Sequence, residues 1–137
     1  MPKHVLIVDD NDEAASLRAD LIPQFSGGDF TAEALFGGQD CLNRFSKEPK
    51  IDILVLDIDM PEVSGADVIR AILKMNPIPN LKIIPLTAWG DRWLSQWHME
   101  DIRETPLFKS MVLETYERSS GGIEPLIERL RESSHAS

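Results

Sequence analysis

The chain has 137 residues, 42% of them hydrophobic, enough for one domain with a real core and too many for a disordered segment. Its formal net charge of -9 disfavours a nucleic-acid binder, whose affinity comes largely from cations, and leaves room for protein partners and bound metal ions. With one cysteine, no signal-like leader and no apolar run of membrane-spanning length, a cytoplasmic protein without internal disulfides or membrane contact is expected.

Val5–Val8 is a short, β-branched apolar run, which suits a strand buried on both faces, and Asp9 and Asp10 follow it directly. Asn11 or Asp12 can cap a helix whose apolar positions are Ala14, Leu17, Leu21 and Phe25. Pro23 and the pair Gly27-Gly28 are expected to close it. Phe30–Phe36 alternates like a half-exposed strand, and Gly37-Gly38 turns the chain into a short helix with Cys41, Leu42 and Phe45 inward. Ile51–Leu56 is the next buried strand. The helix after Gly65 carries Ala66, Ile69, Ile72 and Leu73 and ends at Asn76-Pro77.

Leu81–Leu86 is the fourth strand, where Pro85 is tolerable only if its missing N–H is not needed. Asp91–Met99 reads as helical, and Leu107-Phe108 as a short last strand. An amphipathic segment from Ser110 to Arg118 leads to a flexible break at Ser119-Ser120-Gly121-Gly122. The final helix has Pro125 in its first turn and Leu126, Ile127 and Leu130 on its apolar face. Strand and helix alternate throughout, so the expected class is α/β with an open parallel sheet covered on both faces. One domain over 1–132 is expected, with a flexible tail at 133–137.

Four polar groups follow the apolar runs: Asp9-Asp10, Asp57, Thr87 and Lys109. In open α/β sheets the ligand crevice lies at the carboxyl ends of the strands. If the first and third strands are neighbours, their ends are about 4.8 Å apart, and the three carboxylates share one pocket. Carboxylates so close repel one another unless a cation sits among them. An all-oxygen donor set with no histidine or cysteine at ligand spacing describes Mg²⁺ better than zinc. A metal ion, a lysine and a hydroxyl around one carboxylate describe phosphoryl transfer, with Asp57 as nucleophile, Lys109 neutralising phosphoryl oxygens and Thr87 hydrogen-bonding one of them.

Taken together, "VDD", "DIDMP" with Gly65 behind it, "TA" and a lysine after a short last strand resemble the receiver domain of bacterial two-component response regulators. The resemblance implies a flavodoxin-like, five-stranded doubly wound fold with strand order 2-1-3-4-5. It implies Mg²⁺ on Asp10 and Asp57, with Asp9 supporting and the backbone carbonyl of Asp59 as a further ligand. It also implies that Asp57 takes a phosphoryl group from a sensor histidine kinase, and that Thr87 moves toward that group. Output then runs through protein contact at the surface of the fourth helix, fifth strand and last helix, or through a phosphorelay to another histidine. On this reading the chain is a phosphoacceptor and not an enzyme acting on a separate substrate.

Three positions depart from the family's pattern. Lys109 is followed by Ser110 where the family has proline, Pro106 stands at its switch aromatic, and the Ser110–Gly122 segment is longer than usual. One alternative is a haloacid-dehalogenase-type phosphohydrolase, which shares Asp-x-Asp at Asp57-Ile58-Asp59. That class wants Thr or Val two residues after the second Asp and a late carboxylate pair, whereas here Met60-Pro61-Glu62 follows and the acidic pair comes first. Another alternative is a phosphorylation-independent, receiver-like adaptor. His4, His98 and His135 read as structural or surface residues, and Cys41 as core. Trp89, Trp93 and Trp97 recur every four residues, and Trp93 and Trp89 are expected to be partly exposed, with a second copy of the chain or a partner docking around Trp93.

Overall fold

The computed structural model of the protein describes residues 2–47, 50–75, 78, 80–117 and 122–135. Five strands form one parallel sheet: β1 (Lys3–Val8), β2 (Phe30–Leu35), β3 (Ile53–Asp57), β4 (Lys82–Thr87) and β5 (Tyr116–Glu117), in the order β2-β1-β3-β4-β5. Between and after them run α1 (Asp12–Phe25), α2 (Gly38–Lys47), α3 (Gly65–Lys74), a 3₁₀ turn at Gly90–Arg92, α4 (Trp93–Gln96), α5 (Glu100–Arg103), α6 (Pro106–Met111) and α7 (Ile123–Ser134). The expected class, strand number and strand order are those observed.

The central strands read as unbroken apolar runs because both of their faces are covered. Alternate residues go to opposite sides. Leu6, Val8, Leu54, Leu56 and Ile83 pack with α2, α3 and Trp93, while Val5, Ile7, Ile53, Val55 and Ile84 pack with α1 and α7. Pro85 sits inside β4 opposite Leu56. The Ile83 carbonyl accepts from Leu113 N–H at 2.8 Å, so it faces the fifth-strand side. Pro85, two residues on, turns its nitrogen to that same side. Pairing there stops after the Val112 bridge to Ile83 and resumes only at Tyr116 opposite Leu86, so the missing N–H falls in the gap.

Asn11 is the cap of α1, its side chain accepting from Ala14 N–H, and Pro23 lies inside the helix rather than ending it. The face of α1 differs from the expected one. Ala15 and Ile22 are buried, whereas Leu17 and Phe25 are exposed. Two apolar stripes compete on this helix, and the one with the small Ala15 wins. At the other end of the chain α7 continues through Ser134 with Ser133 buried, so regular structure reaches into the segment expected to be a tail. The Asn76-Pro77 stop, Ser119-Ser120-Gly121 of the expected break, and residues 136–137 lie outside the described residues.

The largest departure precedes β5. Leu107-Phe108 is not a strand: it lies in α6, where Thr105 caps the helix by accepting from Phe108 N–H and Pro106 takes the first turn. Trp93 is also corrected. Only 1% of it is exposed; it packs in the core and donates Nε1–H to Thr115 Oγ1 at 2.9 Å. A docking surface around Trp93 therefore has no basis in the fold.

Candidate functional site

β1 and β3 pair from Val5 opposite Ile53 to Val8 opposite Leu56, so Asp9, the next residue after β1, and Asp57, the last of β3, finish at one level. One carboxylate oxygen from each of Asp9, Asp10 and Asp57 lies within 4.8 Å of the other two. Asp9 and Asp57 are fully buried and Asp10 is exposed, so the cluster meets solvent through Asp10. Beside it lies a cleft of about 380 Å³ lined by Asp10, Phe36, Met60, Pro61 and Glu62 among others.

Local backbone holds the acids in place. Asp9 Oδ1 accepts from Asn11 N–H at 3.0 Å, and Asp57 Oδ1 from Asp59 N–H at 3.2 Å. Arg18, reaching back from α1, donates to Asp9 Oδ2 at 3.2 Å. Behind Asp57 the chain turns into α3 so tightly that a Cβ on Gly65 would stand 2.4 Å from the Asp57 carbonyl oxygen and 2.6 Å from Ile58 Cα. Gly65 N–H donates to the Ile58 carbonyl at 2.9 Å. Ser64 and Asp67 close a reciprocal cap on α3, each side chain accepting from the other's N–H at 3.1 Å. That glycine is why α3 can seat directly on the turn that carries the acid.

Thr87 ends β4 next to β3 and is fully buried. Its hydroxyl donates to Asp59 Oδ2 at 2.8 Å and accepts from Trp89 N–H at 3.3 Å. The resemblance marks the backbone carbonyl of Asp59; the structure adds its side chain as the acceptor that holds Thr87. Trp89 is 49% exposed, with the Arg92 guanidinium 5.8 Å from its ring centroid.

Lys109 is not where the strand-end expectation puts it. It lies on α6, its side chain 60% exposed, with Nζ 3.3 Å from Glu104 Oε2. The next residue, Ser110, accepts from Lys82 Nζ at 2.8 Å, and Lys82 begins β4. Thr87 is at the other end of that strand, about 16 Å away at the usual rise per residue. Lys109 thus lies toward the N-terminal end of β4, the end opposite Asp57, because the residues before it form a helix. In chain order the residue after β5 is Arg118, which is outside the described residues.

Two features missed in the sequence bear on the site. Arg18 is nine positions from Asp9 and gives no spacing signal; only the fold of α1 back toward β1 brings it there. Tyr116 on β5, opposite Leu86, is the aromatic of the last strand rather than a residue near Lys109. Its burial pushes the phenol above the ordinary range, against the opposing charges of Arg18 and Arg129. Cys41 is buried, which pushes its thiol up to about 12 and leaves it chemically inert at neutral pH.

The donor set fits a hard cation such as Mg²⁺. It offers carboxylate oxygens only, close enough to share one ion, and an exposed member leaves room for water. No helix among the described residues is long and apolar enough to cross a membrane.

Comparison with known proteins agrees with this geometry. A profile of the response regulator receiver domain family matches residues 5–111. The chemotaxis protein CheY of Thermotoga maritima is 39% identical over 92 residues, covering 67% of this chain and 72% of its own length. The polar-differentiation response regulator DivK of Brucella anthropi is 33% identical over 90 residues, covering 66% and 70%. Among solved structures, CheY4 of Vibrio cholerae superposes with a TM-score of 0.72 at 18% identity over 97% of this chain and 99% of its own, which bears on the fold alone. These matches do not favour the haloacid-dehalogenase alternative. An acidic triad at the ends of β1 and β3, a hydroxyl at the end of β4 and a profile match over most of the chain give one conclusion: this protein belongs to the response regulator receiver domain family.

Proposed function

We propose that the protein accepts a phosphoryl group on Asp57 from a phosphohistidine of a sensor histidine kinase, in a cytoplasmic, Mg²⁺-dependent reaction. The observation that carries this reading is the closure of Asp9, Asp10 and Asp57 to within 4.8 Å beside a buried Thr87. Asp10 and Asp57, with Asp9 and the Asp59 carbonyl in support, would hold the ion. Bound there, Mg²⁺ supplies charge neutralisation for the phosphoryl oxygens.

The residues of the chain do the rest. An Asp57 carboxylate oxygen attacks phosphorus, the donor's N–P bond breaks, and its electron pair returns to the imidazole, which takes up a proton. The product is an aspartyl phosphate. Thr87 enters after transfer: its O–H leaves Asp59 Oδ2 for a phosphoryl oxygen, a move favoured because the new negative charge attracts the donor and repels Asp59. Loss of the Thr87–Asp59 hydrogen bond is the local event from which a change at the β4–β5 side can spread. The output partner is a target protein or a phosphotransfer protein that reads that side.

Phosphate release separates this reading from a hydrolase. With Mg²⁺ and acetyl phosphate the protein should take up one phosphoryl group per chain, and it should show no steady turnover of small phosphate monoesters. Continuous release from a monoester, at many equivalents per chain, would instead favour the hydrolase.

A further inference from the structure

The acidic cluster brings three carboxylates together, each with an oxygen within 4.8 Å of the others. Arg18 stands where a positive charge is useful. Its side chain leaves the second turn of α1, is 24% exposed, and places Nη1 3.2 Å from Oδ2 of the fully buried Asp9. The other oxygen of Asp9 is fixed by Asn11 N–H. Lys109, the cation expected in this role, sits on α6 with Glu104. A guanidinium suits such a position because it stays charged whatever happens around it and holds a carboxylate in a fixed orientation.

We propose that Arg18 is a positioning residue of the phosphoacceptor site: it engages Asp9, trims the charge of the cluster, and so sets the affinity for Mg²⁺. The inference rests on the phosphoacceptor reading given above. It makes Arg18 act in opposite directions in two states. Without metal, Arg18 relieves repulsion among the three carboxylates and stabilises the fold. With metal, it repels the ion and competes with it for Asp9. A residue that merely packed α1 against β1 would stabilise both states alike.

Calorimetric titration with Mg²⁺ and thermal unfolding, each with wild type, Arg18→Gln and Arg18→Lys, test this. Arg18→Gln keeps an N–H donor and loses the charge; Arg18→Lys keeps the charge. Arg18→Gln should bind Mg²⁺ roughly tenfold more tightly than wild type, as loss of a like charge close to the ion implies. It should unfold at a lower temperature in chelator and regain most of that loss at saturating Mg²⁺, since a ligand stabilises the variant that binds it more tightly. Arg18→Lys should follow wild type in both. Equal or weaker Mg²⁺ binding by Arg18→Gln, or the same drop in Tm with and without the ion, overturns the proposal. If Arg18→Gln is unfolded in chelator, Mg²⁺ should restore it, and a variant that stays unfolded at saturating Mg²⁺ also overturns it. Wild type that binds no Mg²⁺ would overturn the phosphoacceptor reading itself, a result distinct from equal affinities.

Discussion

At the scale of single residues, the acids and Thr87 are legible in the sequence because an apolar run stops at each of them. Asp9 and Asp57 are carried into burial by strands that have no alternative, and Thr87 ends the last well-formed apolar strand. Lys109 is illegible for the matching reason: "PLF" looks like the end of a strand, but Thr105 and Pro106 start a helix there. Lys109→Ala should therefore leave phosphoryl uptake from acetyl phosphate within experimental error of wild type. It should shift stability by no more than about 0.5 kcal/mol, since its ion pair with Glu104 is a surface one. Loss of uptake in that variant would return Lys109 to the site. Trp89 follows Thr87 by two residues, shares a hydrogen bond with it, and presents half of its surface. Attack on an aspartyl phosphate needs water placed within about 3–3.5 Å along one line, which an indole turned toward Asp57 would obstruct. Trp89→Ala should lose its phosphoryl group faster by roughly tenfold, about 1.4 kcal/mol of barrier. Slower or unchanged loss, followed by mass, would remove Trp89 from that role.

At the scale of elements, periodicity serves where one face dominates and fails where two compete. β1, β3, β4 and α3 are read correctly because their burial is continuous or one-sided, as in α3, where Ala66, Ile69 and Ile72 are all buried. In α1 Leu17 and Phe25 of the expected stripe face solvent while Ala14 and Leu21 are half-buried, and small Ala15 on the buried side allows the helix to sit close to the sheet. β5 has two residues and no apolar run, so its pairing with Leu86 and Thr87 is a tertiary fact without a local signal. Trp93 belongs here too. Its spacing suggests a helix face, but the shortness of α4 and the Thr115 hydroxyl draw it inward. The junction of β3 with α3 gives the sharpest test of how elements position the acid. Gly65→Ala must displace either the Asp57 carbonyl or the start of α3, because the contact is with backbone and not with a side chain that can swing away. The expected cost is about 1–3 kcal/mol in chemical unfolding, the usual range for overpacked cores. Phosphoryl uptake should fall in the fraction that remains folded. A variant as stable as wild type would show that this junction is looser than its geometry implies.

At the scale of the whole molecule, alternation of strand and helix gives the class, but strand order is not contained in periodicity. The order 2-1-3-4-5 comes from the family resemblance, and the fold has it. That order puts β1 beside β3 and so converts two distant sequence motifs into one acidic pocket. The profile match runs through α5 and α6 and ends at Met111, before β5 and α7. The matched residues include the three acids and Thr87, and the proposed function makes Asp57 the group that reacts. Intact mass of wild type and Asp57→Asn, after acetyl phosphate with Mg²⁺ or with chelator, tests it most directly. Wild type should gain the mass of one phosphoryl group with Mg²⁺ alone, and Asp57→Asn should gain none in either condition. A phosphoryl group gained by Asp57→Asn, or by wild type equally well in chelator, would contradict the assignment.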